Sequence, residues 1–335
     1  MGDVGAPTAA SGAQHELRND GHRAVVAEVG ATLRHYSAHD VDVVDGFDAD
    51  EVAPSGRGQV LAPWPNRLDG GRYEYEGRTA HAALDEPDRG NAIHGLVRWL
   101  PWTVVEKQTA AVRLACVLHP QPGYPWLLGL EIDYGLEGNG LAVSTRVENR
   151  SEVAAPFGIG FHPYLTVGVA ADEATLAVPA GRRLVSDERG LPSGEADVAG
   201  TPYDFRKATT IGSARLDTCY TDLHREADGL ARAALVAPDG DRSVTLWADE
   251  RFRYLMVYTG DTLEPVARRR SAVAIEPMTC PPNALRSGTD LLRVEPGGVV
   301  EARWGLVPGS GDEGIGRARG RFRGARPGHE EGAQR

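Results

Sequence analysis

Apolar and polar residues alternate along much of this chain with a period of two. In LGLEIDYGL (residues 128–136), apolar residues occupy every second position from Leu128 to Leu136. Such an alternation predicts a β-strand with one buried face. The turn sequence EGNG follows, and LAVSTRVEN (141–149) predicts a second strand, so the two segments are expected to form a hairpin.

Other short apolar segments predict further strands, and a helical period is nearly absent. The clearest are VRLACVL (112–118), SVTLWADE (243–250), RYLMVYT (253–259) and SAVAIEP (271–277). The chain contains 41 glycines and 22 prolines, which favour many turns between short strands. Over 335 residues, this pattern predicts an all-β fold, a large antiparallel β-sandwich without internal repeats.

The periodic pattern is confined to the middle of the chain. Residues 1–10 are small and polar, and residues 309–335 are rich in arginine and glycine without periodic apolar positions. Segments of this composition do not bury enough apolar surface to fold. We therefore expect one β-sandwich domain over residues 11–308 between two disordered tails, the second of which is a solvated tail rather than a nucleic-acid-binding element.

Charge and cysteine content narrow the possible partners and the cellular compartment. The formal net charge of −11 argues against binding to nucleic acid or to a membrane surface. Cys116, Cys219 and Cys280 are far apart and odd in number, so neither a disulfide framework nor a zinc site is predicted. No apolar run reaches the ~20 residues that span a bilayer. We expect a cytoplasmic monomer or homodimer that binds a polar small molecule.

Four polar positions interrupt strand-like or turn-like segments. Arg67 lies in APWPNRLDGG, His94 in NAIHGLVRWLPW, His162 in GFHPYL and Glu276 in VAIEPMTCPPNAL. A surface ion pair for Arg67, a turn cap for His94 and a hydrogen-bonded core position for His162 are the ordinary explanations. Pro163 predicts that His162 leaves the end of a strand. Glu276 is harder to explain, because a carboxylate ending a buried strand needs solvent or a partner.

The motifs PNR, NAIHG, FHPY and EPMTCPPNA occur in that order between about residues 11 and 307. Together they resemble the aldose 1-epimerase (galactose mutarotase) family. The resemblance implies a large β-sandwich in which Glu276 is the general base, His162 is the general acid, and His94 and Arg67 contact the sugar. Asp217, in ARLDTCYTDL, resembles the aspartate that binds sugar hydroxyls in this family, although Asp222 is close enough to be the alternative.

The implied reaction agrees with what these side chains can do. Interconverting α and β anomers requires removal of the proton from the C1 hydroxyl and delivery of a proton to the ring oxygen. One base and one acid suffice, so no metal, other cofactor or covalent intermediate is expected. The ordinary pKa values are about 4.3 for Glu and about 6.5 for His. Near neutral pH, Glu276 is expected to be an ionised base, and His162, with a modestly raised pKa, a ready acid.

Other functions remain open at this point. A β-sandwich can bind carbohydrate without catalysis, and Asp217 with Glu276 could serve as the two carboxylates of a glycoside hydrolase. A metalloenzyme is disfavoured because the histidines show no HxH or HExxH spacing. A nucleophilic Cys280 would need a histidine and an orienting residue beside it.

The identity of the sugar depends on residues at the rim of the site. A neutral hexose is the favoured substrate, and a phosphorylated or sulfonated hexose is the alternative. The arginines that could bind such an anionic group are Arg98, Arg268, Arg269 and Arg270, each of which could equally be an exposed loop residue.

Overall fold

The structure, a computed structural model, describes residues 9–309, so the two predicted tails lie almost entirely outside the described residues. The strands are β1 (Gln14–Asn19), β2 (His22–Ala27), β3 (Thr32–Ala38), β4 (Val41–Val44), β5 (Val60–Leu61), β6 (Arg67–Asp69), β7 (Arg72–Tyr75), β8 (Arg78–His81), β9 (Asn91–Ile93), β10 (Thr103–Lys107), β11 (Ala111–Leu118), β12 (Leu128–Glu137), β13 (Gly140–Asn149), β14 (Ala155–Phe157), β15 (Gly160–Phe161), β16 (Tyr164–Leu165), β17 (Thr175–Ala177), β18 (Ala180–Ser186), β19 (Pro192–Asp197), β20 (Thr209–Thr210), β21 (Asp217–Leu223), β22 (Ala231–Val236), β23 (Ser243–Ala248), β24 (Tyr254–Tyr258), β25 (Val273–Met278), β26 (Leu292–Val294) and β27 (Val299–Gly309). Between residues 9 and 309, helical structure is limited to α1 (Ala284–Ser287) and three short 3-10 turns, Pro54–Gly56, Pro87–Arg89 and Val266–Arg268. Within this part of the chain, no helix has the length and apolar character needed to cross a bilayer.

Two large antiparallel sheets contain most of these strands. Sheet I has twelve strands, in the order β1-β2-β3-β4-β16-β25-β24-β21-β18-β19, with β15 paired to β25 and to β5. Sheet II has nine strands, in the order β10-β11-β12-β13-β27-β23-β22-β17-β20. The predicted hairpin over 128–149 is confirmed as β12 and β13, which pair from Leu128 opposite Asn149 to Glu137 opposite Gly140.

A continuous apolar core joins the two sheets. Ile132 and Tyr134 of sheet II are fully buried, and the Tyr134 hydroxyl donates a hydrogen bond of 2.7 Å to the carbonyl of Ala31. The ring of Phe161, in sheet I, lies 5.1 Å from that of Trp304, in sheet II. The predicted all-β sandwich is therefore confirmed, and its core is the interface between the sheets.

The strand β25 separates this core from a second, outer face of sheet I. Val273 and Ile275 belong to the main core, whereas Ala274 and Met278 belong to two small separate clusters. Because side chains alternate along a strand, Glu276 projects from the outer face with Ala274 and Met278. Glu276 does not end the strand as the sequence suggested, since β25 continues through Pro277 to Met278.

The partner of β25 is interrupted at the position opposite Glu276. Gly160 of β15 pairs with Met278, and Tyr164 of β16 pairs with Ala274, in one continuous register. His162 lies in the gap between β15 and β16, so this register sets it opposite Glu276. Its backbone instead exchanges hydrogen bonds with the carbonyl of Gln59 (3.2 Å) and the amide of Gly58 (2.9 Å). The prediction that His162 leaves the end of a strand is thus confirmed.

Candidate active site

A cavity of about 350 Å³ opens on the outer face of sheet I. It brings together all five residues singled out from the sequence, which are Arg67, His94, His162, Asp217 and Glu276. Glu276 and Asp217 come from strands of the sheet, His162 from the gap between β15 and β16, and Arg67 and His94 from the β6–β9 ribbon and the loop after it.

His162 and Glu276 form the innermost pair of the cavity. The Nε2 atom of His162 lies 3.4 Å from Oε1 of Glu276, and the two side chains are only 6% and 2% exposed. Residues opposite each other in neighbouring strands have Cβ atoms about 4.5–5.5 Å apart, which accounts for the contact. The second carboxylate oxygen, Oε2, makes no hydrogen bond within residues 9–309. An acid and a base are therefore adjacent in a desolvated site.

Burial shifts the pKa values of both members of this pair. Desolvation raises the pKa of Glu276 well above its ordinary value, as does the nearby Asp217, against an opposing effect of Arg67. Desolvation lowers the pKa of His162 to about 3, helped by the charge of Arg57. The expectation of a modestly raised His162 pKa is wrong, because burial and the charge of Arg57 both lower it. Burial therefore disfavours the charged form of each member of the pair.

His94 is held as a neutral hydrogen-bond donor. Its Nδ1 atom accepts a hydrogen bond of 3.2 Å from the backbone amide of Asn66, which leaves the ring proton on Nε2. The His94 amide donates in return to the Asn66 carbonyl at 2.9 Å. Burial lowers the pKa of His94 well below its ordinary value, and the neighbouring His162 contributes to this shift. The imidazole is therefore fixed in one tautomer and can donate to a ligand oxygen.

Two carboxylates orient the guanidinium of Arg67. Its Nε atom lies 3.1 Å and 3.0 Å from the two carboxylate oxygens of Glu86, and Nη1 lies 3.6 Å from Oδ2 of Asp217. Arg89 approaches the same two acids at 3.9 Å each. Gly190 packs against this guanidinium, since a Cβ atom there would lie 2.6 Å from Nη1. Arg67 is a buried, oriented donor and not an ordinary surface ion pair.

The geometry distinguishes Asp217 from Asp222. Asp217 lines the cavity beside Arg67, and its side chain is 41% exposed. Asp222 lines a different cavity, where a Cβ atom at Gly181 would lie 2.3 Å from its Oδ2. Of the two aspartates left open by the sequence, Asp217 is therefore the one within reach of a ligand bound at His162 and Glu276.

Several residues of the cavity had no role predicted from the sequence. These are Asp85, Glu86, Arg89, Trp99 and Tyr164. Trp99 is 46% exposed and lies under the guanidinium of Arg98, 4.8 Å from the ring centroid. An exposed tryptophan at a cavity mouth is an amphipathic platform for the C–H face of a ligand. Trp99 lies in the NAIHGLVRW segment, which also supplies His94, and this proximity in sequence could have indicated that it lines the site.

The four arginines considered for anion binding do not all lie at the cavity. Arg98 lines the cavity, with Nη2 2.5 Å from Oδ2 of Asp85. Arg268 pairs with Glu51, Arg269 with Glu264, and Arg270 with both Asp172 and Asp261. Only Arg98 of these four lines the cavity.

The cysteines and potential metal ligands add no further reactive group to this site. Burial raises the pKa of the Cys280 thiol to about 12, which disfavours the thiolate that a nucleophile needs. Across residues 9–309, no three His, Cys, Asp or Glu side chains are grouped so that they could hold a metal ion. The chemistry of the cavity therefore centres on His162 and Glu276.

The sequence matches a family model over nearly the whole described region. The model is described as aldose 1-epimerase and matches residues 13–306. The chain belongs to the aldose 1-epimerase family. Members of this family are isomerases, so the chain is an isomerase, and its family implies a sugar substrate.

Relatives of this epimerase family member include curated bacterial proteins. The uncharacterized protein YihR of Escherichia coli K12 is 33% identical over 289 residues, which cover 86% of this chain and 90% of that protein. A protein named aldose 1-epimerase from the same organism is 28% identical over 215 residues, which cover 60% of each chain.

Solved structures share the fold of this epimerase. A GalM/aldose epimerase homologue from C. elegans superposes with a TM-score of 0.80 at 16% identity, over 89% of this chain and 99% of that one. Galactose 1-epimerase from Lactobacillus acidophilus superposes with a TM-score of 0.75 at 21% identity, over 88% and 94% of the two chains. The predicted galactose mutarotase-like sandwich is confirmed.

Proposed function

We propose that this protein is an aldose 1-epimerase that interconverts the α and β anomers of a hexose by general acid and base catalysis. The observation that carries the proposal is the contact of 3.4 Å between Nε2 of His162 and Oε1 of Glu276. The pair lies in a sugar-sized cavity, and Arg67, His94 and Asp217 supply polar groups around it.

The reaction needs one proton that moves between these two groups. Glu276 as carboxylate removes the proton of the C1 hydroxyl while His162 as imidazolium protonates the ring oxygen, and the C1–O5 bond breaks. The open-chain aldehyde then faces a protonated Glu276 and a neutral His162. After rotation about the C1–C2 bond, closure on the other face of the carbonyl reverses both transfers and regenerates the starting pair.

The effect of burial on the pKa values favours ring opening. Burial makes the Glu276 carboxylate a stronger base and the His162 imidazolium a stronger acid, so both proton transfers to and from the sugar are driven toward the open chain. The neutral pair that burial stabilises is the same pair that accompanies the aldehyde. Desolvation raises the free energy of the ionised pair, which must form when the sugar binds.

Arg67, His94 and Asp217 are proposed to hold the sugar hydroxyls. The two donors are fixed before the ligand arrives, Arg67 by Glu86 and His94 by Asn66. Preorganised groups lose little conformational entropy on binding. Asp217 supplies an acceptor at the more exposed side of the cavity.

Charge balance in the cavity supports a neutral hexose as the substrate. Arg67, Arg89 and Arg98 line it together with Asp85, Glu86 and Asp217, and the His162–Glu276 pair adds no net charge whether both groups are ionised or both are neutral. The three positive charges are thus matched by three negative ones. A neutral ligand preserves this balance, whereas an anionic ligand adds negative charge that no cation of the cavity is left to match.

Arg98 favours a second candidate, a hexose that carries a phosphate or sulfonate group. The residue is only 8% exposed, it lines the cavity, and its Nε atom has no hydrogen-bond partner within the described residues. A guanidinium can bind such oxyanions through two parallel hydrogen bonds. A neutral hexose remains the favoured substrate because Asp85 already pairs with Arg98.

A purely carbohydrate-binding protein and a glycoside hydrolase are the remaining alternatives. Simple binding has no need of a buried acid next to a buried base, since burying both costs stability. A hydrolase needs two carboxylates that flank the scissile bond. Here the partner of Glu276 at the bottom of the cavity is an imidazole.

The test is a panel of anomeric exchange rates. The purified protein is added to galactose, glucose, glucose 6-phosphate and a 6-sulfonated glucose, and exchange is followed by NMR, with aryl glycosides as hydrolase substrates. We expect faster exchange of a neutral hexose and no release of the aryl group. Faster exchange of only the charged sugars would favour the second candidate. Binding without accelerated exchange, or hydrolysis, would contradict the proposed function.

A further inference from the structure

No hydrogen bond to another residue orients the imidazole of His162 in the described part of the chain. In most such sites the second ring nitrogen donates to a carboxylate or a carbonyl, which fixes the tautomer and the ring plane. The buried Nδ1 atom of His162 has no hydrogen-bond partner on any other residue between 9 and 309. Another residue that fixes the plane of the ring must therefore act through a contact other than a hydrogen bond to Nδ1.

Tyr164 supplies a stacking contact to this ring. The two residues are separated by Pro163 and project from the same face of sheet I. Their ring centroids lie 4.9 Å apart, and the planes differ by only 11°. The Tyr164 hydroxyl donates to the carbonyl of Ser55 at 3.2 Å, so the phenol ring is itself tethered.

Arg57 covers the same phenol ring. Its guanidinium carbon lies 4.0 Å from the Tyr164 ring centroid. The phenol ring therefore contacts both the Arg57 guanidinium and the His162 imidazole. Arg57, Tyr164 and His162 thus form a chain of contacts, which we call the stack.

Contacts with Asp45 hold the Arg57 side chain in place. Arg57 is 1% exposed, its Nη2 atom lies 2.5 Å from Oδ2 of Asp45, and its Nε atom donates to the Asp45 carbonyl at 3.0 Å. The preceding residue, Gly56, has a φ of +76°, and a Cβ atom there would lie 2.7 Å from Cδ2 of His162. Gly56 therefore packs against the imidazole.

We propose that Arg57 is a positioning residue that acts through Tyr164 to fix the plane of the His162 imidazole, so that Nε2 faces Glu276 and the ring oxygen of the sugar. The proposal rests on the proposed function of His162 as the acid. The lowered pKa of His162, for which burial is the main cause and Arg57 the next, agrees with a cation held close to this ring.

The test compares Arg57→Lys with Arg183→Lys. Lysine keeps the positive charge near Asp45 but removes the planar group from the stack. Arg183 is the matched control, because its guanidinium lies 3.8 Å from the ring centroid of Tyr203, a tyrosine outside the residues that line the cavity. Both variants are assayed for kcat, KM and thermal unfolding on a sugar that the wild-type protein equilibrates.

A misplaced acid is expected to slow chemistry more than binding. Arg57→Lys should lower kcat by about 10- to 100-fold with KM within about threefold, whereas Arg183→Lys should leave both near wild type. The His162 ring signals in NMR should shift or broaden in Arg57→Lys only. A folded Arg57→Lys protein with wild-type kcat, or an equal loss of kcat in both variants, would overturn the proposal.

If Arg57→Lys fails to fold, a second pair of variants tests whether the Tyr164 ring positions His162. Tyr164→Phe retains the stacked ring, whereas Tyr164→Leu removes it. The Phe variant loses only the hydroxyl tether, so we expect kcat of Tyr164→Leu to be about 10- to 100-fold below that of Tyr164→Phe. Equal rates in the two would contradict a role for the stack. A wild-type protein that accelerates no anomeric exchange would instead refute the proposed function of the site.

Discussion

The two sheets of this protein are built differently, although both are antiparallel and share one core. Sheet II contains the long hairpin β12–β13 and the strand Val299–Gly309, which pair without a break in register. Sheet I contains β5, β15 and β16, each only two residues long. The candidate chemistry lies at these short strands. A regular ladder satisfies the backbone hydrogen bonds of both strands. At the break between β15 and β16, the His162 backbone bonds to Gln59 and Gly58 instead, and its side chain faces Glu276 of β25.

The sheets also differ in what their buried residues contribute to stability. Sheet II buries apolar side chains such as Leu130 and Ile132, which the hydrophobic effect favours. Sheet I buries His162 and Glu276 on its outer face, where desolvation opposes the charged form of each group. We therefore expect substitutions in sheet II to change stability and substitutions at the break in sheet I to change activity.

The largest effect is expected for His162→Asn compared with His94→Asn. The first variant removes the proton donor and should lower kcat by about 10²- to 10⁴-fold while sugar still binds. The second removes an orienting hydrogen bond and should be milder, with its loss shared between kcat and KM. Steady-state kinetics and sugar titration of both variants check this. A larger loss of kcat in His94→Asn would exchange the two roles.

On sheet II, Ile132→Ala should destabilise without changing the chemistry. Ile132 is fully buried in the core, and removing such a side chain costs about 2–5 kcal/mol because a cavity remains. Denaturant unfolding should report this loss, while kcat of the folded protein stays near wild type. A large loss of kcat at a temperature where the variant is fully folded would contradict the separation of the two sheets.

Arg67→Ala is expected to act mainly on binding. A charged hydrogen bond is worth about 1.5–3 kcal/mol, so KM should rise by about one to two orders of magnitude with a smaller change in kcat. Arg67→Lys is the control, because it preserves a cation beside Glu86 and Asp217 while losing the planar fork. A strong fall in kcat with KM unchanged would place Arg67 among the groups that act on the reacting atoms.

The sequence was sufficient to predict the fold and to name five residues that line one cavity, but not to predict their arrangement. The hairpin 128–149 followed from its period of two, since one face of each strand is buried. The contact between His162 and Glu276 depends on pairing between strands far apart in sequence, which local patterns do not encode. The lowered pKa of His162 was missed for the same reason, because burial is set by the whole fold.

The pH dependence of stability should reveal the buried carboxyl group. The pKa of Glu276 is raised on folding, so its contribution to stability is fully present below the ordinary pKa of a glutamate and is lost as pH rises through the folded pKa. Glu276→Gln removes this titration. The Tm difference, variant minus wild type, should therefore become more positive between pH 5 and pH 8, as thermal unfolding would measure. A difference that is constant or falls with pH would contradict a raised pKa.

The most direct test of the account is the rate of anomeric exchange in Glu276→Gln. The amide preserves the shape of the side chain and its place opposite His162 but cannot accept the proton of the C1 hydroxyl. NMR exchange measurements on a sugar that the wild-type protein equilibrates should show a loss of about 10²- to 10⁴-fold, with folding and sugar binding retained. A folded Glu276→Gln protein that equilibrates the anomers at near the wild-type rate would contradict the assignment of Glu276 as the base.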